Sequence, residues 1–180
     1  MSTHTITPRN TSEQTHHVVG SPVARHAFAL IRLSIGWIFL WAFLDKLLGL
    51  GFSTPAEEAW LNGGSPTTGY LSSLDGVFAG LFDPMIGAVW ADVLFMVGLG
   101  AIGAALMSGI GQRVATVTGV LLLMLMYLTA LPLPSNPFLT DYIVMSLALI
   151  GLLYADSAKT LGLGRWWSST SLVQRFPILR

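Results

Sequence analysis

The chain has 180 residues, of which 53% are hydrophobic and 10% charged, against about 25% charged in an ordinary soluble domain. A water-facing exterior cannot be covered with so few polar residues, so the composition points to a single domain embedded in lipid. A net charge of zero leaves no electrostatic footprint for nucleic acid, and the absence of cysteine excludes disulfides, a thiol redox centre and thiolate-held iron–sulfur or zinc sites.

Residues 1–24, rich in Ser, Thr and His, read as a disordered cytoplasmic tail. They do not form a signal peptide, because the apolar stretch that follows is too long and lacks a small-residue cleavage pattern. All four histidines, His4, His16, His17 and His26, precede or open the first apolar segment. No metal site is therefore expected, since a transmembrane haem needs imidazoles inside the membrane.

The first predicted span covers about 27–52, enough for the roughly 20 residues a bilayer core demands. The next residues, Ala59-Trp60-Leu61-Asn62-Gly63-Gly64-Ser65-Pro66-Thr67-Thr68-Gly69, combine glycines, hydroxyls and an aromatic in one outer loop. Successive glycine amides there suggest an anion-binding concavity. A short amphipathic piece over 74–81 reads as an interfacial segment. A second span is predicted from Phe82-Asp83-Pro84, with Asp83 as cap and Pro84 in the first turn, to about 107. The third covers about 113–131 and ends at Pro132 and Pro134. The fourth is predicted from Asn136-Pro137 to about 154. Gly98, Gly100, Gly103, Ala104, Ala115 and Gly119 suit close helix approach within one bundle.

The fold class is therefore an all-α membrane protein, a bundle of four transmembrane helices over 25–157 with a cytoplasmic or interfacial tail over 158–180. Arg9, Arg25, Arg113, Lys159, Arg165, Arg175 and Arg180 fall on one side of this topology. The connection over 53–83 has no Lys or Arg but carries Glu57, Glu58, Asp75 and Asp83. The positive-inside rule then places both termini in the cytoplasm, with Trp166 and Trp167 as an interfacial anchor.

Ionisable residues within spans are functional candidates because lipid makes them expensive. Arg32 stands alone on the inner side, close enough to snorkel to the surface. Asp45, Lys46, Asp92 and Asp141 fall in the outer half. A helical wheel puts Lys46 on one face with Arg32, Gly36, Phe39 and Phe43, while Asp45 points elsewhere. Lys46 is expected to face the interior and meet Asp92 or Asp141. Two uses remain open, an ion pair that sets helix register or a polar pocket facing outward.

The run Arg32-Leu33-Ser34-Ile35-Gly36-Trp37-Ile38-Phe39-Leu40-Trp41-Ala42-Phe43-Leu44-Asp45-Lys46-Leu47-Leu48-Gly49-Leu50-Gly51-Phe52 resembles the first helix of the DoxX family of membrane proteins, in its DoxD-like branch. The outer loop 59–67, Trp90-Ala91-Asp92, Asn136-Pro137-Phe138, Asp141-Tyr142 and Gly162-Leu163-Gly164-Arg165-Trp166-Trp167 extend the resemblance over roughly 27–167. It implies a four-helix bundle in a bacterial plasma membrane. The best-known relatives form the large subunit of thiosulfate:quinone oxidoreductase, which oxidises thiosulfate to tetrathionate beside a DoxA-type partner.

On that resemblance Lys46 orients the anion, Asp92 and Asp141 handle protons or balance charge, and Asp45 is a further catalytic candidate. Trp41, Trp60, Asn62, Gly63, Gly64, Ser65 and Tyr142 are the expected substrate-binding residues, and Arg32 is structural. No covalently bound cofactor is implied; quinone is the expected electron acceptor, and lipid and a DoxA-like or respiratory-complex subunit are the expected partners. The alternatives are a non-catalytic accessory or assembly subunit of a respiratory complex, and a small anion or metabolite permease.

Overall fold

Residues 19–134, 136 and 138–179 are described by a computed structural model, and all regular structure among them is helical. Helix α1 spans Pro22–Leu48, with its proline in the first turn, where a missing N–H is harmless. It ends at Gly49, whose positive φ of 66° lets its N–H return to the Asp45 carbonyl at 2.8 Å. The helix thus lies about one turn earlier in the chain than the apolar run suggested. It begins inside the predicted 1–24 tail, of which residues 1–18 lie outside the described residues.

The connection between α1 and the next long helix is folded by turns and one short helix, α2, Thr68–Ser72. The amphipathic piece expected over 74–81 is instead a set of bends and the 3₁₀ turn Ala79–Leu81. Asp83 and Pro84 likewise open only a 3₁₀ turn, Asp83–Met85. Gly87, at φ 70°, turns the backbone before α3 begins, Val89–Ser108. Asp92 therefore sits in the first turn of α3, not deep within a span.

Helix α4 covers Gln112–Thr129, and α5 covers Asp141–Tyr154. Asn136 does not cap α5. Its Oδ1 accepts the N–H groups of Phe138 and Leu139, each at 3.1 Å, and makes a turn there. Asp141 is consequently the first residue of α5 and is exposed.

Helices α1, α3 and α4 are long and apolar enough to cross a membrane, while α5 is apolar but has 14 residues. Glycines set the packing between α1 and α3, which run antiparallel. A Cβ on Gly36 would meet Leu106, one on Gly103 would meet the Leu40 backbone at 2.6 Å, and one on Gly100 would meet the Phe43 ring. Gly119 of α4 lies against Leu149 of α5 and Ile102 of α3, and α5 also touches α1. Ile35, Phe39, Leu99, Ile102, Leu123 and Leu149 are core residues at these contacts. The opposite faces expose Val97, Val117, Val144 and Leu147, as lipid-facing surfaces do.

Beyond α5 the chain forms α6, Gly164–Ser169, and α7, Ser171–Arg175. This segment is fastened and does not trail: Trp167 Nε1 donates to the Leu179 carbonyl at 2.6 Å, and Arg113 donates to the Pro177 carbonyl at 2.9 Å. Trp166 is exposed while Trp167 is half-buried, so only one of the two tryptophans expected to form an interfacial anchor is open at the surface.

Candidate functional site

Arg32 does not snorkel. It is fully buried and donates to the carbonyls of Leu106 and Met107 at the end of α3, and to those of Thr160 and Leu161 beyond α5. The last carbonyls of a helix lack partners within it and carry partial negative charge, so a guanidinium satisfies both needs. Beside it, buried Gln112 donates to Ser157 Oγ at 2.8 Å and accepts the Ala158 N–H at 3.0 Å. This end is thus a knitted polar junction joining α1, α3, α4 and the chain after α5.

At the opposite end the carboxylates hold loops. Asp45, 1% exposed, accepts the Phe52 N–H at 3.2 Å and the Ser53 N–H and hydroxyl at 3.0 and 2.6 Å. One oxygen of Asp92 accepts the Ser65 hydroxyl at 2.9 Å and the Thr67 N–H and hydroxyl at 3.1 and 2.6 Å. These bonds occupy one oxygen of Asp92, one of the two carboxylates expected to meet Lys46. The only ion pair among the described residues is Lys159–Asp156 on the surface, at 2.8 Å. The expected pairing of Lys46 with Asp92 or Asp141 is absent.

The glycine loop has no free amides of the expected kind. The Gly63 N–H returns to the Trp60 carbonyl at 3.1 Å and the Gly64 N–H to the Ala59 carbonyl at 3.0 Å. Asn62 Nδ2 donates to the Ala56 carbonyl at 2.7 Å, and Gly64 is pressed against Glu58. Asn62, Gly63, Gly64 and Ser65 therefore build the loop, and no anion nest is left. Trp41 lies between Trp37 and the edge of Phe52, with ring centroids 5.7 and 5.1 Å away. Half-buried Trp60 opens its own 3₁₀ turn, and Tyr142 packs on the core.

What remains is a cavity of about 350 Å³ between α3 and α4, roofed by the connection that joins α1 to α3. Phe95, Gly98 and Ile102 line it from α3, and Leu122, Leu125 and Met126 from α4. Tyr70 and Phe82 line the end beside that connection, and Lys46 is the only charged residue in the lining. Each hydroxyl in the wall is engaged. Thr67 donates to Asp92, Thr118 to the Val114 carbonyl and Thr129 to the Met126 carbonyl, which leaves Tyr70 to donate to Thr129 at 2.6 Å. The Lys46 ammonium, with three N–H donors and no ion-pair partner among the described residues, supplies the free polarity.

Such a space, at the small end of the roughly 300–1,000 Å³ of ligand pockets, suits an apolar molecule with one acceptor group. Lys46 is half-buried and lines this cavity, while Asp45, which the wheel pointed elsewhere, is buried, and the wheel did not find Tyr70, Phe82 or the α3–α4 cleft. Their one signal was Gly98, a small residue on a helix with nothing packed against it. Among the described residues no three His, Cys, Asp or Glu side chains gather as a metal site would require. Comparison with protein-family models, with curated proteins and with solved structures finds no match.

Proposed function

We propose that the chain is a DoxX-like, four-span subunit of a quinone-linked oxidoreductase in a bacterial plasma membrane, with both termini cytoplasmic. The observation that carries this reading is the apolar cavity in which Lys46 alone offers free donors. A quinone has a flat apolar ring, an isoprenoid tail and two carbonyl acceptors, which match the aromatic roof, the cleft between α3 and α4, and the ammonium. Reduction adds two electrons and two protons to the ring and draws negative charge onto its oxygens. A lysine ammonium in the lining of an apolar cavity favours that electron-rich form.

No residue of the chain is an electron carrier, so the donor delivers electrons directly or through a DoxA-like partner. Thiosulfate fits the balance, two thiosulfates giving one tetrathionate and two electrons. Because the glycine loop is closed on itself, the donor site falls to the partner or the shared interface.

The test is equilibrium binding of a short-chain quinone to the purified full chain in neutral detergent. Binding in the micromolar range, weakened at least roughly tenfold by Lys46→Met, supports the reading. Absence of binding, or binding indifferent to Lys46→Met, removes it. Thiosulfate-dependent quinone reduction with and without a DoxA-like subunit then tests the donor.

A second reading, a non-catalytic accessory subunit, is favoured by the use of Arg32, Asp45 and Asp92 as staples. Copurification with a respiratory complex that Lys46→Met leaves unchanged would favour it over the first.

A further inference from the structure

A second cleft, of about 290 Å³, opens at the Arg32 end of the molecule. It lies between the start of α1 and the chain that follows α5, and Arg25, Lys159 and Arg165 line it from three separate elements. Asp156 is the only acidic residue in the lining, and it pairs with Lys159 at 2.8 Å, both side chains being about half exposed. Three cations against one carboxylate leave a positive cleft, with Arg25 and Arg165 outside any ion pair among the described residues.

The wall is built onto the core. Arg32 holds the Thr160 and Leu161 carbonyls from beneath, Gln112 holds Ser157 and Ala158, and Asp156 adopts a positive φ of 53° that turns the chain into the cleft. The cations therefore stand on a fixed base and not on a loose tail. Exposed apolar side chains flank them in sequence: Val23 near Arg25, Tyr154 before Ala155, and Trp166 beside Arg165. A cationic cleft edged with apolar and aromatic groups, at the end of helices able to cross a membrane, has the polarity of a lipid headgroup and its acyl chains.

We propose that this cleft binds a phosphate ester group, held by Arg25, Lys159 and Arg165, as carried by an anionic phospholipid. Arginine forks suit the paired oxygens of a phosphodiester, and the site needs neither the quinone nor a partner subunit.

The experiment uses the delipidated full chain in neutral detergent, with dioleoyl phosphatidylglycerol, dioleoyl phosphatidylcholine and inorganic phosphate as probes, read by native mass spectrometry and thermal unfolding. Phosphatidylglycerol is expected to bind at least roughly tenfold more tightly than phosphatidylcholine. Arg25→Gln with Arg165→Gln should weaken it about 25-fold, at about fivefold for each cation removed. Arg175→Gln, which removes a cation outside the cleft, should leave it within about twofold.

If millimolar phosphate competes with the lipid, the cleft reads the phosphate alone; if it does not, the headgroup and its chains are read together. Either result supports the site when the double variant weakens binding by the expected factor. Equal binding of phosphatidylglycerol and phosphatidylcholine, or equal loss in Arg175→Gln, overturns it. Should the double variant fold poorly, Lys159→Gln supplies the same comparison with a single exposed change.

Discussion

Arg32 and Lys46 lie on one helix and carry the same charge, yet the fold uses them in opposite ways. Arg32 bonds to carbonyls in two separate parts of the chain, 74 and 129 positions away in sequence at Leu106 and Leu161. Arg32→Met leaves those carbonyls buried without a donor, and each such orphan costs about 1–3 kcal/mol. A loss of roughly 3 kcal/mol or more is expected in reversible unfolding from mixed micelles. Arg32→Lys should recover only part of it, because one ammonium cannot span both carbonyl groups. Lys159→Gln, which breaks the exposed pair with Asp156, should change stability by at most about 1 kcal/mol. Lys46→Met should leave unfolding unchanged or slightly later, since it puts an apolar chain in an apolar cavity and orphans no partner. That a charge lay in each place was legible in the sequence. Its use was not, because backbone carbonyls have no residue signature, and Asp92, the natural partner for Lys46, is occupied by Ser65 and Thr67.

Among the helices, the small residues of α3 fall into two groups that composition cannot separate. A Cβ on Gly103 would lie 2.6 Å from the Leu40 nitrogen and 2.8 Å from its Cα, backbone atoms of α1 that cannot rotate away. Gly103→Ala must therefore push α1 and α3 apart, at a cost of about 1–3 kcal/mol. Gly98, five residues earlier on the same helix, has nothing within 4 Å of such a Cβ and borders the cavity. Gly98→Ala should stabilise by about 0.5–1 kcal/mol through helix propensity alone, so the two substitutions are expected to have opposite signs in the same unfolding assay. Gly98→Leu goes further, filling the cavity and blocking quinone uptake while the protein stays folded; undiminished binding in this variant would place the ligand elsewhere. Helix ends were less legible than helix interiors. Asp83-Pro84 and Asn136-Pro137 have the form of helix starts, but Gly87 and the Asn136 turn intervene, and α3 and α5 begin five or more residues later. A cap signal specifies a turn, and whether a helix continues from it depends on what the next residues pack against.

At the scale of the whole molecule, apolar composition was enough to predict helices in a membrane, because lipid leaves an uncovered chain few other structures. How many helices cross is a harder question, and α5 decides it. Its 14 residues rise only about 21 Å at 1.5 Å per residue, short of the roughly 30 Å hydrocarbon core. The proposed fourth crossing must therefore be completed by the non-helical chain on either side. Support for that crossing comes from the junction at Arg32, which binds the carbonyls of Thr160 and Leu161 beside those of Leu106 and Met107. The chain beyond α5 thus returns to the end where α3 stops and α4 starts. Because the protein has no cysteine, single substitutions report sidedness without a background. On the four-span topology Leu61→Cys, exposed in the connection between α1 and α3, should react with an impermeant maleimide in intact cells. Ser169→Cys, exposed at the end of α6, should react only after the membrane is opened. A three-span chain would instead label at both positions from outside. That result would also remove the Arg32 junction, since residue 161 could not then lie on the same side of the membrane as residue 106.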